Sequence, residues 1–285
     1  MYFWYSDPGF ASSIFMNAKK RRRKALGQHF LTKKSVLERI LRVIDPQPGE
    51  WIIEIGAGKG ALSIPLARKG ARVVAIEKDR LLLSSLKDRH VPNLVLKEGN
   101  VLALRFSDLV PEKRVKIVGN LPYAISSPLL FKVLEEKDIV LACVFLLQKE
   151  VAERLCAEPG SKKYAPLSIL FHNEFHTRLH LIVPPSAFSP PPKVESALVS
   201  LEKRAEPLEI IPDETKFHEF LRGSFQNRRK KLINNLRMAG FPEPQIRHAF
   251  RKAGIPDHWR GEQVSLSEFV KLYSTLYGLS GPSPP

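Results

Sequence analysis

Four consecutive residues, Asn120, Leu121, Pro122 and Tyr123, have the types and spacing suited to chemistry on a planar, amine-bearing ring. An exocyclic amine such as that of adenine is a poor nucleophile, because its lone pair is delocalised into the ring. A protein acting on it must hold the amine with acceptors and the ring by stacking. Asn120 supplies a side-chain carbonyl, Leu121 a main-chain carbonyl and Tyr123 an aromatic face. Pro122 sets φ at about −65° and donates no hydrogen bond, which stiffens the turn. The quartet follows the apolar run Val115 to Val118, where a strand should end. Taken alone, the four residues fit an ordinary strand-to-helix turn equally well.

A second constellation lies upstream. Glu54, Ile55, Gly56, Ala57, Gly58, Lys59 and Gly60 follow the apolar run Trp51 to Ile55 and open a helix through Leu62, Ile64 and Leu66. Glycines there let the chain turn tightly and approach a ligand closely. The loop reads GxGxG, its third glycine one residue earlier than in the dinucleotide fingerprint. Glu77 ends the next strand about 20 residues on, where a carboxylate can accept from both hydroxyls of a ribose. Glu98, Gly99 and Asn100 tip the strand after that. Glycine, acid and amide on three successive strand tips describe a nucleoside pocket more than a pyrophosphate cradle.

These tips need a sheet to hold them. Apolar residues at Val36, Leu37, Ile40, Leu41 and Ile44 predict a helix from Lys34 to Ile44, with Thr32 or Ser35 as N-cap. Short apolar runs then alternate with helical stretches: Trp51 to Ile55, Arg72 to Ile76, Leu94 to Lys97, Val115 to Val118 and Ile139 to Leu147. That rhythm predicts a parallel sheet in an α/β fold. Beyond Pro159, Phe175 to Val183 and Val194 to Leu201 read as two more strands, joined by a stiff proline-dense loop in which Phe188 stands exposed. A charged, proline-bearing linker from Arg204 to Pro212 precedes four helical segments, Asp213 to Arg222, Arg228 to Ala239, Pro242 to Ala253 and Ser265 to Tyr277. They predict a small all-α C-terminal domain.

Charge narrows the partner. The 285 residues carry 45 Lys and Arg against 29 Asp and Glu, a net charge of +16, which points to a polyanion. Nucleic acid comes first and an anionic membrane second; no apolar stretch approaches the ~20 residues of a membrane span. The cations cluster at Lys19, Lys20, Arg21, Arg22, Arg23 and Lys24, and again at Arg228, Arg229, Lys230 and Lys231. A charge run is by default a solvated face, but two such runs in a chain of this net charge favour phosphate contacts. Cys143 and Cys156 provide neither a disulfide framework nor a zinc-type spacing, so inert thiols in a reducing cytoplasm and no metal are expected. The aromatic-rich start has its charge after, not before, its apolar residues, unlike a secretory signal. Residues 1–18 are expected to form a disordered or loosely docked extension, with Met16 as an alternative start.

In order and spacing, the EIGAGKG loop, Glu77, the EGN tip and NLPY are similar to S-adenosylmethionine-dependent methyltransferases acting on adenine N6. More narrowly, KALGQHFL (Lys24 to Leu31), VGNLPYAISSPLL (Val118 to Leu130), VPPSAFSPPPKVESALV (Val183 to Val199) and FQNRRKKLINNL (Phe225 to Leu236) resemble the small-subunit rRNA adenine dimethyltransferases. The resemblance runs from about Lys20 nearly to the C-terminus. It implies a Rossmann-like class I methyltransferase domain with a mostly parallel sheet over residues 19–205, and a helical RNA-binding domain over 206–285. It implies that His29, Leu31, Glu54, Gly56, Gly58, Gly60, Glu77, Asn100 and Asn120 line the S-adenosylmethionine site. Asn120, Leu121, Pro122 and Tyr123 would hold the target base, with Phe188 closing on its other face. Two positions depart from the common pattern: His29 stands where Asn is usual, and Asn100 where Asp is usual.

The implied reaction places methyl groups on N6 of two adjacent adenosines in a loop near the 3′ end of 16S rRNA, within the immature 30S subunit. A cytoplasmic enzyme is expected, and the sequence is silent on oligomeric state, with monomer as the default. Three alternatives stand beside it: a large-subunit rRNA adenine methyltransferase, a DNA adenine methyltransferase, and a non-catalytic ribosome-assembly factor that keeps the fold.

Overall fold

The computed structural model of the chain describes residues 28–111 and 114–279; the expected extension over residues 1–18 and the basic run Lys19 to Lys24 lie outside them. A short strand β1 (Phe30–Leu31) leads into helix α1 (Lys34–Ile44), which buries Val36, Ile40 and Ile44 at helical spacing. Neither Thr32 nor Ser35 caps it: the N-cap is Lys33, without a side-chain bond. The Thr32 hydroxyl instead donates to the Ala187 carbonyl at 3.1 Å, tying the start of α1 to the proline-dense loop.

Strands and helices then alternate: β2 (Trp51–Ile55), α2 (Ser63–Arg68), β3 (Arg72–Glu77), α3 (Arg80–Lys87), β4 (Leu94–Glu98), β5 (Val115–Asn120), α4 (Ser126–Glu135), β6 (Val140–Gln148), α5 (Lys149–Leu155) and α6 (Pro166–Glu174). Then come β7 (Phe175–Val183), the two-residue β8 (Phe188–Ser189) and β9 (Ser196–Lys203). Seven strands form one sheet in the order β4-β3-β2-β5-β6-β9-β7. Strands β2 to β6 run parallel, while β9 inserts antiparallel between β6 and β7. The central strands are buried on both faces and so read as unbroken apolar runs. One face packs under α4, α5 and α6 and the other under α1, α2 and α3, in two separate apolar clusters. The chain is an α/β, Rossmann-like fold.

At the crossing point of this topology, the β2 and β5 tips come very close. A Cβ on Gly119 would lie 2.6 Å from the Ile55 carbonyl oxygen, so only glycine fits there.

Four helices follow, α7 (Glu214–Ser224), α8 (Leu232–Met238), α9 (Glu243–Ala253) and α10 (Leu266–Leu276). Asp213 caps α7 through the Lys216 amide at 2.9 Å, and Ser265 with Glu268 forms a capping box at α10. Their apolar core takes in Tyr164, Ile169 and Leu170, so the helices share packing with the α6 region.

Two sequence-based expectations change here. Helix α8 starts at Leu232, not Arg228, because the Asn235 side chain bonds the Ser224 and Asn227 carbonyls and the Asn227 amide, stapling residues 224–227 in a turn. Arg228 to Lys231 therefore sit in a loop. Phe188 is buried, not exposed, because β8 pairs antiparallel with β1, Leu31 facing Phe188, and draws that ring into the α1-side core.

Candidate active site

Strand tips β2, β3, β4 and β5 open into one crevice of about 320 Å³. It holds His29, Gly56, Gly58, Glu77, Asn100, Asn120, Leu121, Pro122 and Tyr123 together in its wall. A ligand site at the carboxyl ends of parallel strands, where the strand order reverses, is the expected place in an open α/β sheet.

Glu77 is positioned by the main chain. One carboxylate oxygen accepts from the Gly58 amide at 2.9 Å, the other from the Lys78 and Asp79 amides at 2.8 and 2.9 Å. A carboxylate has about four acceptor sites, so three such bonds orient it and leave capacity for a ribose hydroxyl. The glycine loop makes that contact possible. Gly58 has φ +56°, and a Cβ there would meet the Phe30 ring at 3.2 Å. Gly60, at φ +80°, does not line the crevice; its missing Cβ admits the Leu86 side chain.

Glu54 also lies off the wall, contrary to the sequence-based expectation. It is 2 % exposed beneath the glycine loop, where the Ser63 hydroxyl donates to it. Burial pushes its carboxyl up to about 8, with Ser63 opposing and the Glu77 charge adding. Leu31 and Phe188 face the core, not the crevice.

At the β5 tip, the Asn120 side-chain amide donates to the His29 carbonyl at 2.7 Å. A carbonyl can only accept, so the nitrogen must face His29, and the Asn120 oxygen is left as the acceptor. His29 is held in turn by its Nδ1, 2.8 Å from the Pro190 carbonyl. Its ring lies 5.7 Å from that of Tyr123. The Tyr123 hydroxyl is 2.9 Å from Ser196 Oγ, and burial raises its pKa above the ordinary phenol range, with the Ser196 bond opposing. Asn100 uses its side-chain oxygen to cap the turn after β4, accepting from the Leu102 amide at 3.3 Å.

Sequence reasoning missed Gln28, Phe30, Lys78, Val101, Leu102 and Ile125 in the wall. The apolar ones supply flat surfaces for a ring. Gln28 Oε1 is buried with no hydrogen-bond partner among the described residues, an acceptor in the wall left for a ligand. Gln28 sits beside His29 in the KALGQHFL motif, which was the available signal. The orphaned Gln28 oxygen, the oriented Glu77 carboxylate and the cramped Gly58 backbone fit a ribose-bearing, amine-bearing cofactor such as S-adenosylmethionine.

The second predicted cluster is divided. Arg228 donates to the Lys162 and Tyr164 carbonyls, bridging the α5–α6 loop to the helical region. Arg229, Lys230 and Lys231 are exposed and line a basic depression with Arg237, Arg247 and Arg260, balanced only by Glu243 and Asp257. No group of His, Cys, Asp and Glu among the described residues is arranged to hold a metal ion, and no described helix is long and apolar enough to cross a membrane.

A family model described as ribosomal RNA adenine dimethylase matches residues 19–277. The chain is 40% identical over 268 residues to the ribosomal RNA small subunit methyltransferase A of Geobacter metallireducens, covering 92% of this chain and 98% of that one. The protein of the same name from Xanthomonas campestris is 40% identical over 252 residues, covering 88% and 94%. Among solved structures, a dimethyladenosine transferase from Plasmodium falciparum superposes with a TM-score of 0.76 at 25% identity, covering 88% and 99%. The 23S rRNA methyltransferase ErmE superposes with a TM-score of 0.69 at 25% identity, covering 87% and 99%.

Proposed function

The chain belongs to the ribosomal RNA adenine dimethylase family and is an S-adenosylmethionine-dependent methyltransferase, and from that premise we propose that it dimethylates N6 of two adjacent adenosines in a loop near the 3′ end of 16S rRNA. The observation that carries the reading is the Asn120 side chain, locked by the His29 carbonyl so that its oxygen is the group offered to an amine. Two relatives named for the small subunit, at 40% identity, favour that RNA over the 23S substrate named for ErmE at 25%.

S-adenosylmethionine, when bound, supplies an electrophilic methyl on a sulfonium. Gln28, Glu77 and Asn100 would hold it, with Val101 and Ile76 flanking its ring. The Asn120 oxygen and the Leu121 carbonyl accept the two N6 hydrogens of the target, which keeps electron density on nitrogen and aims the lone pair. Tyr123, braced by Ser196, stacks on the base. A base must be unpaired or flipped to enter such a crevice, which favours a loop over a duplex interior.

In this reading residues 19–205 carry the chemistry, and residues 206–285 hold RNA of the immature 30S subunit through Arg229, Lys230 and Lys231, joined by Lys19 to Lys24. The enzyme acts as a cytoplasmic monomer. The test is incubation with labelled S-adenosylmethionine and immature small subunits lacking the modification, followed by nucleoside analysis. N6,N6-dimethyladenosine in 16S rRNA, lost in Asn120→Ala, is the expected result. Label in 23S rRNA or in DNA would overturn the substrate, and tight RNA binding without label would favour an assembly factor.

A further inference from the structure

A groove of about 450 Å³ runs between α1 and β7, lined among others by Lys33, Arg39, Arg42, His180 and Pro184. β7 is one edge of the sheet, and His180 sits at a register shift in its pairing with β9. Irregularities of that kind re-aim side chains. The His180 ring bonds Ser200 Oγ at 2.8 Å. Its pKa is held below the usual histidine range by burial first, then by Arg178 and Arg39, with Glu202 opposing. The groove's positive charge is therefore carried by arginine and lysine.

Several cations elsewhere in the same domain are answered by carboxylates. Lys116 pairs with Glu50 at 3.1 Å, Lys132 with Glu136 at 2.6 Å, and Lys137 and Lys203 with Glu174 at 2.9 and 2.7 Å. Lys33, Arg39, Arg42 and Arg178 have no ion pair among the described residues, and no carboxylate lines the groove. Charged side chains commonly guard an edge strand, which accounts for Arg178. Arg42 lies in the last turn of α1, where a cation suits the helix dipole. Arg39, mid-helix and exposed, has neither task.

Position adds to charge. Lys33 is three residues beyond Phe30, itself in the crevice wall, a chain distance of about 10 Å. The Lys33 and Pro184 end of the groove joins the β1–β8 ribbon, since the Thr32 and Lys33 amides bond the Ala187 carbonyl at 2.9 and 3.3 Å. The groove lies on the α1 face, opposite the face where α6 meets the C-terminal helices.

We propose that the α1–β7 groove is a second phosphodiester-binding track, taking the RNA strand that flanks the target base on the side of the sheet away from the C-terminal helices. This rests on the RNA-methyltransferase reading and extends it: RNA is gripped on both sides of the crevice. A backbone track of this type binds by phosphate charge and is strongly salt-dependent.

The test compares full-length wild type with Arg39→Gln/Arg42→Gln. A control, Lys87→Gln/Arg89→Gln, removes equal charge near the opposite sheet edge. Binding to immature small subunits is measured across a salt series, with melting temperature and S-adenosylmethionine affinity alongside. The groove variant should bind about tenfold more weakly at low salt, with a slope of log affinity against log salt shallower by roughly 1 to 2, at unchanged melting temperature and cofactor affinity. The control should match wild type. Equal slopes in all three proteins, or an equal loss in the control, would overturn the proposal. Absence of methyl transfer to 16S rRNA by wild type would sink the substrate assignment separately, because the slopes still report on the groove.

Discussion

Asn120 donates its side-chain amide to the main-chain carbonyl of His29 at 2.7 Å, across 91 positions of sequence. The segment before α1 thus orients the group that receives the target amine, and does so by backbone, whatever side chain residue 29 carries. This explains how His29 can stand where Asn is usual in the family.

The first prediction follows from the direction of that bond. In Asn120→Asp a carboxylate oxygen would face the His29 carbonyl, so the nearly isosteric change should cost as much as Asn120→Ala. Both should lower the single-turnover rate about 100-fold or more, the scale of losing one preorganised polar contact to the reacting group. Cofactor binding and melting temperature should change little by comparison. Near-normal turnover in Asn120→Asp would remove the orientation argument.

Tyr123 is held at both ends, by its ring near His29 and by its hydroxyl on Ser196. Base stacking is worth about 1–3 kcal/mol, so Tyr123→Ala should reduce kcat/KM by roughly 5- to 150-fold. Tyr123→Phe and Ser196→Ala keep the face and lose only the brace, and each should cost a few-fold. If the brace is the whole role of both groups, the double variant should be no worse than either single one.

Much of this site was legible because buried parallel strands read as apolar runs, and the ends of those runs put NLPY and Glu77 on strand tips by pattern alone. The β1–β8 ribbon was not. Two-residue strands have no periodicity, and the exposed reading of Phe188 followed from its proline-rich neighbours alone. The basic quartet misled for a related reason: its Lys and Arg residues are good helix formers, but Asn235 fixes the turn before them from eight positions downstream of Asn227. Glu54 shows the converse case. Adjacent to the glycine loop in sequence, it points into the core, because alternation along β2 puts it on the face opposite its neighbours.

Asn100 is spent partly on its own backbone, its oxygen capping Leu102. An aspartate there could cap with one oxygen and accept a cofactor amine with the other; in Asn100 the second atom is a donor. Asn100→Asp should therefore tighten S-adenosylmethionine binding several-fold, in line with the greater strength of charge-assisted hydrogen bonds. Calorimetric titration of both proteins decides it, and equal or weaker binding by the variant would count against the assigned contact.

Gly119 tests the sheet itself. A Cβ there would lie 2.6 Å from the Ile55 carbonyl oxygen, and a main-chain atom in a central strand cannot swing aside as a side chain could. Gly119→Ala should destabilise by about 2 kcal/mol or more, and should weaken cofactor binding by parting the β2 and β5 tips. Denaturant unfolding with and without S-adenosylmethionine measures both effects.

Glu54 should leave a mark on the pH dependence of stability. Its carboxyl rises from an unfolded value of about 4.5 to about 8 in the fold, so between these limits the native state binds the proton and the unfolded chain does not. Stability then falls as pH rises through that window, because the unfolded state releases a proton that folding must take back. The contribution is complete below about pH 4.5 and is lost by about pH 8. Its slope is at most on the order of 1 kcal/mol per pH unit. Glu54→Gln keeps an uncharged group beside Ser63 without titrating. The stability difference, wild type minus variant, should therefore shrink steadily from about pH 5 to about pH 8 in that proportion, read from urea midpoints at each pH. A difference that stayed flat, or grew with pH, would mean that Glu54 is charged in the folded protein and that the Ser63 hydroxyl and main-chain amide hold a carboxylate there.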